Sequence, residues 1–242
     1  MDCGYQRGMA INLHGNIEPL GWESDFFQLK SARLTPDASA PEITPQRLDQ
    51  YALVQAKVDA GETDTLDALS VLGFRLAEGE TDVCVRIGPS DLGLPAGRLA
   101  VPEDMPEVAA IARQAFRFSR FRSPWYQPED SGRFYATWAE KAVSGTFDHL
   151  CLWVDDEQGN SLGFVTLRTL PDGEARIGLL AVRPECQGRG AGKKLMAAAK
   201  KWSAEQGVSR LYVATQTSNL AALNLYLASG GTVTGTAYWL YR

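Results

Sequence analysis

The sequence predicts a mixed α/β fold, a twisted sheet of antiparallel and parallel strands flanked by helices. Three successive strand patterns joined by tight turns indicate an antiparallel meander. Strand and helix patterns alternate after them, which is typical of parallel crossovers. Further strand and helix patterns precede both and predict a smaller α/β module at the N-terminus.

The predicted N-terminal module covers residues 1–95. Thr63 or Asp64 is the expected N-cap of its second helix, and Gly73 is expected to end that helix. Its predicted elements are an extended segment at 17–20, helices at 45–60 and 63–72, and strands at 74–77 and 81–87. Because the order of helix, glycine and strand at 67–74 repeats at 223–232, this module is interpreted as a degenerate half of the same fold.

The second predicted domain covers residues 96–242 and follows a segment at 88–97 with the composition of a linker. Its predicted elements are a strand at 98–101, a helix at 102–118, an irregular loop at 119–130, a helix at 132–143, strands at 149–154, 161–170 and 174–182, a helix at 190–205, a strand at 210–215, a helix at 219–228 and one or two strands at 232–241. This domain is expected to carry the chemistry, because the most informative motif of the chain lies within it.

Composition excludes several classes of function. The net charge is −5, with 45% hydrophobic and 22% charged residues. This balance is typical of a soluble globular protein, and the charge argues against a nucleic-acid binder. The local basic cluster of Arg117, Arg120 and Arg122 needs another explanation. No stretch approaches the roughly 18–20 apolar residues that span a bilayer. We therefore expect a cytoplasmic protein without membrane insertion, whose native start is left open between Met1 and Met9.

The cysteines and histidines do not form a metal-binding pattern. The four cysteines are widely spaced, and His14 and His149 are the two histidines of the chain. A structural zinc site needs paired ligands at short spacing. We expect reduced thiols and no metal.

A glycine-rich turn between a strand and a helix is the most informative motif. The strand ends near Val182, the turn carries glycines at 188, 190 and 192, and the helix follows. Such a turn directs backbone N–H groups at one spot, and the helix dipole adds positive potential there. Arg189, Lys193 and Lys194 add charge. A diphosphate is the ligand that this turn is expected to bind.

Two common phosphate-binding loops do not fit this turn. A Walker A loop would need glycine at Gln187 and serine or threonine at Lys194. A dinucleotide fingerprint needs Gly-x-Gly-x-x-Gly, whereas Gly188, Gly190 and Gly192 are spaced by two. The turn instead has the pattern Gln/Arg-x-x-Gly-x-Gly/Ala.

Two motifs resemble those of the GNAT superfamily of acetyltransferases. Residues 182–193 read Val-Arg-Pro-Glu-Cys-Gln-Gly-Arg-Gly-Ala-Gly-Lys and resemble motif A, whose loop binds the pyrophosphate of coenzyme A. Residues 219–226 read Asn-Leu-Ala-Ala-Leu-Asn-Leu-Tyr, precede Ser229-Gly-Gly231 and resemble motif B. The resemblance implies a GNAT fold, with acetyl-CoA as co-substrate.

The resemblance also implies which residues bind acetyl-CoA. The backbone at the end of the strand would pair with the pantetheine arm, and the glycine-rich loop would hold the diphosphate. Asn219 can both cap its helix and contact the cofactor. The implied cofactor-binding residues are Leu180, Ala181, Val182, Gln187, Gly188, Arg189, Gly190, Ala191, Gly192, Lys193 and Asn219.

Tyr226 is the implied catalytic residue, a general acid that protonates the departing thiolate. A phenol and a thiol differ by about 1.5 pKa units, so full proton transfer is uphill by roughly 2 kcal/mol. The alternative role is a helix tyrosine that packs on the sheet. A strand-end N–H would polarise the acetyl carbonyl, no general base is evident, and His149 is interpreted as structural.

Seven short segments across the whole chain carry a further resemblance, at 17–20, 119–126, 131–135, 145–149, 175–180, 213–216 and 236–242. They resemble GNAT members that acetylate a nucleotide sugar in the synthesis of the enterobacterial common antigen. This resemblance implies dTDP-4-amino-4,6-dideoxy-D-galactose as the acceptor, with its 4-amino group attacking directly. Residues 120–126, Arg-Phe-Arg-Ser-Pro-Trp-Tyr, form what we call the basic aromatic loop. It suits such an acceptor, because the planar guanidinium of arginine binds a diphosphate and aromatic rings stack on thymine or sugar. The candidate acceptor residues are Arg120, Arg122, Trp125, Tyr126 and Arg133.

Two alternatives remain open from the residues alone. The acceptor is otherwise a protein or another small-molecule amine, or the chain is a non-catalytic module that binds acetyl-CoA. The strand at 236–242 is expected to pair between subunits in a homodimer. The N-terminal module is expected to shape the acceptor pocket, so that deletion of residues 1–90 abolishes soluble expression or sugar binding.

Overall fold

The computed structural model describes residues 12–116 and 119–242. The predictions that involve Cys3, Met9, Arg117 and Phe118 fall outside these residues. The helices are α1 (Gly21–Phe27), α2 (Pro45–Leu48), α3 (Thr63–Val71), α4 (Met105–Ala115), α5 (Asp130–Val143), α6 (Ala191–Glu205) and α7 (Leu220–Ala228). The strands are β1 (Gly15–Pro19), β2 (Ser31–Pro36), β3 (Leu53–Asp59), β4 (Arg75–Arg86), β5 (Arg98–Leu99), β6 (Leu150–Asp155), β7 (Ser161–Leu170), β8 (Glu174–Val182), β9 (Arg210–Gln216) and β10 (Gly231–Tyr241).

The chain forms two compact units. The first consists of the residues up to Gly79 together with Ala237–Arg242, and the second consists of Glu80–Thr236. In the first unit the strand order is β1-β2-β3-β10, with β2 and β3 parallel and the other pairs antiparallel. Its core joins residues of β2, β3 and α3, among them Leu34, Val54 and Leu69.

The helix predicted over 45–60 is wrong. Helix α2 stops at Leu48, and residues 53–59 form β3. Both edges of β3 are paired, with β2 on one side and with the end of β10 on the other. This tertiary pairing decides between two interpretations of an apolar run too short to distinguish by spacing alone.

Other local differences have simple causes. The two strands predicted at 74–77 and 81–87 are one strand, β4, because Gly79 continues the extended backbone instead of turning. The N-cap of α3 is Glu62, and its side chain makes no capping bond, so neither Thr63 nor Asp64 fills that role. Gly73 does end this helix, with φ +86°.

The predicted domain boundary differs from the observed division. Residues 80–86 of β4 pair with β9 in the second unit. The predicted linker contains a 3₁₀ turn, Pro89–Gly93, that is fastened to α6. There Lys200 Nζ lies 3.0 Å from an Asp91 oxygen, and Lys201 Nζ donates to the Leu92 carbonyl at 2.6 Å. The second unit therefore begins before the proline- and glycine-rich segment.

The second unit contains the predicted meander and crossover. Strands β5 to β8 pair antiparallel in chain order, and β9 lies parallel to β8 after α6. The strand order in this unit is β4-β9-β8-β7-β6-β5. Helix α6 packs on the sheet through Leu195, Met196 and Ala199, which are all buried. The mixed sheet with flanking helices confirms the predicted fold class.

Three further observations concern the described residues only. None of their helices is long and apolar enough to cross a membrane. They contain no cluster of His, Cys, Asp and Glu able to hold a metal ion. Cys84, Cys151 and Cys186 are not in disulfides.

The C-terminal strand does not support the predicted dimer. Residues 237–241 pair with β3 of the same chain, so the argument for a dimer through this strand loses its basis, and a dimer stays a prediction.

Candidate acetyl-transfer site

The central feature of the second unit is an opening between β8 and β9. Their parallel ladder joins Glu174–Ile177 to Arg210–Val213 and ends there. Both strands continue, β8 to Val182 and β9 to Gln216. Beyond Ile177, β8 therefore presents an edge that is paired with no strand of residues 12–116 or 119–242.

A β-bulge in β8 lies at the start of this opening. Val165 pairs with Leu180 and Leu167 with Ile177, so Gly178 and Leu179 together stand opposite one residue of β7. The extra residue shifts the alternation of side chains by one. Ile177 is in the core cluster that includes α6, and Leu180 packs against the same cluster, although the two are three residues apart.

The register also fixes the direction of the backbone groups after the bulge. Arg183 N–H donates to the Leu162 carbonyl at 2.9 Å. Hydrogen-bonded pairs alternate with non-hydrogen-bonded ones in an antiparallel ladder, so Leu180 and Val182 occupy the intervening positions. Their N–H and C=O groups point away from β7, toward the opening. An extended ligand can pair with them as an added strand would.

The glycine-rich turn leads from this edge into α6. Gly188 and Gly190 have φ +72° and +79°, a left-handed conformation that costs other residues free energy. Gly190 is the N-cap of α6, without a side-chain capping bond and without an acidic residue in the first turn. In the described chain, no backbone acceptor is recorded for the N–H groups of 188–192. These groups and the helix dipole supply what an anion site needs.

The three glycines of the turn do not share one purpose. A Cβ on Gly188 or Gly190 would meet nothing within 4 Å, whereas one on Gly192 would lie 2.9 Å from Leu225 Cδ2 of α7. The first two glycines are needed for backbone conformation, and Gly192 for close packing of α6 against α7. Gln187, Arg189, Lys193 and Lys194 are exposed, and Ala191 is buried.

Tyr226 lies on α7 and is 5% exposed. It belongs to the core cluster of Val213, against which Leu180 and Val182 also pack. Burial raises the pKa of Tyr226 far above its ordinary value of 10.0. Among the described residues, no hydrogen-bond partner is recorded for its hydroxyl. The packing role is thus observed, and no described protein group uses the hydroxyl.

Asn219 caps α7, as its sequence position predicts. Its Oδ1 accepts from the Ala222 N–H at 3.2 Å. Capping uses the oxygen alone, which leaves the amide NH₂ for a ligand. His149 is exposed, and its Nδ1 accepts from the Thr169 N–H at 3.0 Å, in agreement with a structural role.

The basic aromatic loop packs on α5. The Arg120 guanidinium lies 4.3 Å from the centre of the Phe121 ring, and that of Arg122 lies 5.0 Å from the Trp125 ring. Tyr126 is buried and packs edge-on to Phe121 at 5.3 Å. Arg122 is exposed and Arg120 is half-buried, so the loop presents cations beside aromatic rings, whereas Tyr126 supports it from within.

Arg133 follows this loop, in the first turns of α5. Its Nη2 lies 2.7 Å from Asp130 Oδ1, and its side chain is 44% exposed. Asp130 also accepts from the Gln127 N–H at 2.9 Å. Arg133 therefore helps to fix the start of α5, and its outer face remains open to solvent.

Similarity to known proteins identifies the family. Residues 109–230 match the acetyltransferase (GNAT) family. The chain is 48% identical over 231 residues to the dTDP-fucosamine acetyltransferase of Escherichia coli O6:H1, covering 95% of this chain and 99% of that protein. The chain belongs to the GNAT family of acetyltransferases.

Solved structures of GNAT proteins share the fold. The GCN5-related N-acetyltransferase of Sphaerobacter thermophilus is 15% identical, with a TM-score of 0.63 over 95% of this chain and 76% of that chain. A tandem GNAT protein from the clavulanic acid biosynthesis pathway is 13% identical, with a TM-score of 0.58 over 88% of this chain and 74% of that chain. At such identities the likeness concerns the fold.

GNAT enzymes use acetyl-CoA, and the residues of this chain fit it. The uncapped N-terminus of α6 suits the diphosphate. The unoccupied edge of β8 suits a narrow chain that carries amides, such as pantetheine. The two sites are consecutive in the chain, which matches the order of diphosphate and pantetheine in coenzyme A.

Sequence reasoning missed a group of residues behind the bulge. Asp148 and Thr166 are fully buried and hydrogen-bonded to each other at 2.6 Å. Asp148 follows α5, and Thr166 stands opposite Gly178 and Leu179 of β8. Neither lies in a recognisable motif, and a buried carboxyl group cannot be distinguished from a surface one in a single sequence.

Proposed function

We propose that this chain transfers the acetyl group of acetyl-CoA to the 4-amino group of dTDP-4-amino-4,6-dideoxy-D-galactose, as a cytoplasmic step in the synthesis of the enterobacterial common antigen. The observation that carries the proposal is 48% identity with a dTDP-fucosamine acetyltransferase over 95% of the chain. Such coverage includes the acceptor loop and the N-terminal unit as well as the cofactor motifs.

Acetyl-CoA supplies the acetyl group as a thioester and leaves as a thiol. We assign its diphosphate to the backbone N–H groups of 188–192, with Gln187, Arg189 and Lys193 around them. We assign its pantetheine arm to the backbone of Leu180 and Val182, and the Asn219 amide to a further contact. Ala181, which the sequence also predicted, turns its own N–H and C=O toward β7 and would only carry the strand between the two. The direction of the Leu180 and Val182 groups supports this assignment.

Two groups of the chain would act on the reacting atoms. The Leu180 N–H is the donor that would stabilise negative charge on the carbonyl oxygen. The Tyr226 hydroxyl is the general acid that would donate to the departing sulfur. Its raised pKa makes full proton transfer less favourable than for an ordinary phenol, so a late or partial transfer fits best. The sugar amine would attack directly as the neutral base. Its nitrogen would lose one proton to solvent water as the new C–N bond replaces the C–S bond.

The basic aromatic loop is the proposed acceptor site. Arg120 and Arg122 would bind the diphosphate of the sugar nucleotide, Trp125 would stack on thymine or sugar, and Arg133 would flank them. Tyr126 would hold the loop in shape from within. Cations held beside aromatic rings at 4.3 and 5.0 Å support this proposal.

Release of free thiol from acetyl-CoA tests the function with three acceptors. The purified protein would receive the 4-amino sugar nucleotide, its 4-hydroxy counterpart or a lysine peptide. We expect turnover with the amino sugar alone. Turnover with the peptide alone would retain the acetyltransferase and overturn the acceptor, and tight binding of acetyl-CoA without any turnover would favour a binding module.

A further inference from the structure

A buried hydrogen-bond network lies behind the bulge of β8. Asp148 Oδ2 accepts from Thr166 Oγ1 at 2.6 Å and from Trp138 Nε1 at 2.7 Å. Thr166 Oγ1 in turn accepts from the Leu179 N–H at 2.8 Å. The donor and acceptor of each hydrogen bond are fixed. The Leu179 N–H can only donate to Thr166 Oγ1, so the single Thr166 hydroxyl proton is left to donate to the Asp148 carboxyl oxygen.

The network occupies the space of a side chain that β8 lacks. A Cβ on Gly178 would lie 2.7 Å from the Asp148 carboxyl carbon and 2.8 Å from Thr166 Oγ1. The backbone of Gly178 is not left-handed, so glycine is required here by space and not by conformation. Asp148 and Thr166 are both 0% exposed, and the bulge is thus packed directly against them.

The bulge decides which backbone groups face the opening. A β7–β8 pairing without the extra residue would exchange the roles of neighbouring residues. Leu180 would then turn its N–H toward β7, and its side chain would leave the core under α6. The hydrogen bond from the Leu179 N–H to Thr166 gives this bulge donor a side-chain acceptor in place of a ladder partner.

We propose that Asp148 and Thr166 are positioning residues for acetyl transfer, which hold the bulge so that the Leu180 N–H points at the thioester carbonyl. This inference rests on the proposed function. Asp148 orients the Thr166 hydroxyl, Thr166 holds Leu179, and Leu179 fixes the backbone of the next residue. Neither side chain touches the reacting atoms.

The same carboxyl group also holds α5. Trp138 Nε1 donates to it, and the Trp138 ring packs against Phe134 at 5.8 Å. The Phe134 ring lies 4.3 Å, between ring centres, from the ring of Phe121 in the basic aromatic loop. A single buried residue therefore connects the support of the acceptor loop with the backbone that faces the acetyl group.

Thr166→Val is the decisive variant, because valine keeps the shape and removes the hydroxyl. We expect kcat to fall about 10²-fold, the effect of a misaligned or lost oxyanion donor, while the Kd of CoA, which lacks the acetyl group, stays the same. Thr166→Ser keeps the hydroxyl and should restore kcat. The matched control is Thr81→Val, which removes a buried hydroxyl bonded to Thr217 at 3.0 Å, on a strand outside the site.

Isotope-edited infrared spectroscopy of bound 1-¹³C-acetyl-CoA reports the hydrogen bond directly. Loss of the Leu180 donor should move the carbonyl stretch to higher wavenumber in Thr166→Val and leave it unchanged in Thr166→Ser and Thr81→Val. This measurement needs no acceptor, so it remains valid if the proposed sugar nucleotide is wrong. A wild-type carbonyl frequency together with wild-type kcat in Thr166→Val would overturn the proposal.

Asp148 gives a second test if Thr166→Val does not fold. Asp148→Asn keeps an oxygen that can accept from Thr166 and should preserve the carbonyl frequency, whereas Asp148→Ala should raise it. Identical frequencies in the alanine variant and the wild type would show that the bulge does not need the network.

Discussion

At the scale of single residues, burial gives Tyr226 its character. The Tyr226 phenol is buried, and its hydroxyl has no partner among the described residues, so it stays protonated because ionisation would place a charge in an apolar cluster. As the proposed general acid, it would carry its proton at ordinary pH and release it with difficulty. We therefore expect it to act mainly through a hydrogen bond that strengthens as charge develops on sulfur.

Tyr226→Phe should lower kcat about 10²-fold, at the lower end of general-acid effects, with little change in the Kd of acetyl-CoA. Calorimetry for binding and thiol release for turnover measure the two quantities. Tyr212→Phe is the matched control, since the Tyr212 hydroxyl bonds Glu174 at 3.1 Å on the sheet. Equal losses in both variants would argue against the catalytic role.

The same shift predicts the alkaline behaviour of the enzyme. Because the pKa of Tyr226 is raised above 10.0, its ionisation should not reduce kcat between about pH 8 and 10. Because the pKa of Tyr226 is higher in the folded than in the unfolded state, its contribution to the free energy of unfolding is present below pH 10 and is lost as pH rises further. The Tyr226→Phe variant should therefore lose less of its free energy of unfolding above pH 10 than the wild type does.

At the scale of elements, sequence patterns identify those whose structure is set locally. Strands β7 and β8 have the predicted bounds, since a turn sequence at Pro171–Gly173 joins two alternating runs. Helix α7 has its predicted cap in Asn219. By contrast, β3 is defined by its partners β2 and β10, which are remote in sequence, so local spacing could not identify it.

The site divides in the same way. The glycine-rich turn could be predicted because left-handed glycines and a helix start leave a local signature in the sequence. The bulge could not, because it depends on Asp148, Thr166 and Gly178 from three separate segments meeting in the core. The opening beyond Ile177 likewise arises from where pairing with β9 ends.

Gly190→Ala tests the turn that precedes α6. Nothing obstructs the added methyl group, but the φ of +79° is unfavourable for alanine, at a cost of about 1–2 kcal/mol. We expect the KM of acetyl-CoA to rise about tenfold with kcat retained, the pattern of lost uniform binding.

The comparison donor is S-acetyl-pantetheine, which lacks the diphosphate and should be used equally by Gly190→Ala and the wild type. Gly235→Ala is the matched control, because its site is equally open and its backbone is not left-handed. An equal KM increase for both donors would mean that the turn does not bind the diphosphate.

At the scale of the whole molecule, the division of the chain does not follow its composition. The segment richest in proline and glycine, at 88–97, lies inside the second unit, and the C-terminal residues 237–242 belong to the first. The first unit therefore closes only after the last residues of the chain are in place. Helix α3 and helix α7 are each followed by a glycine and then a strand. That the N-terminal module is a degenerate half of the same fold therefore stays a proposal.

The observed division predicts how truncated chains behave. A chain of residues 80–236 keeps the part of β4 that pairs with β9, whereas a chain of 91–242 loses it. We expect the chain of residues 80–236 to unfold cooperatively and at a higher temperature than the chain of 91–242. Circular dichroism with and without CoA measures both melting temperatures. A chain of 91–242 that melts at the same temperature would show that β4 does not stabilise the second unit.

The end of the β8–β9 ladder has one more consequence. Exposed strand edges recruit other polypeptides and lead to aggregation, yet this one faces the interior of a sheet. An incoming strand needs about 4.8 Å on each side and room for its side chains, whereas this gap closes to direct β8–β9 pairing at Ile177. The backbone beyond Ile177 is thus held next to β9, and the pairing at Ile177 limits how far another polypeptide strand could enter.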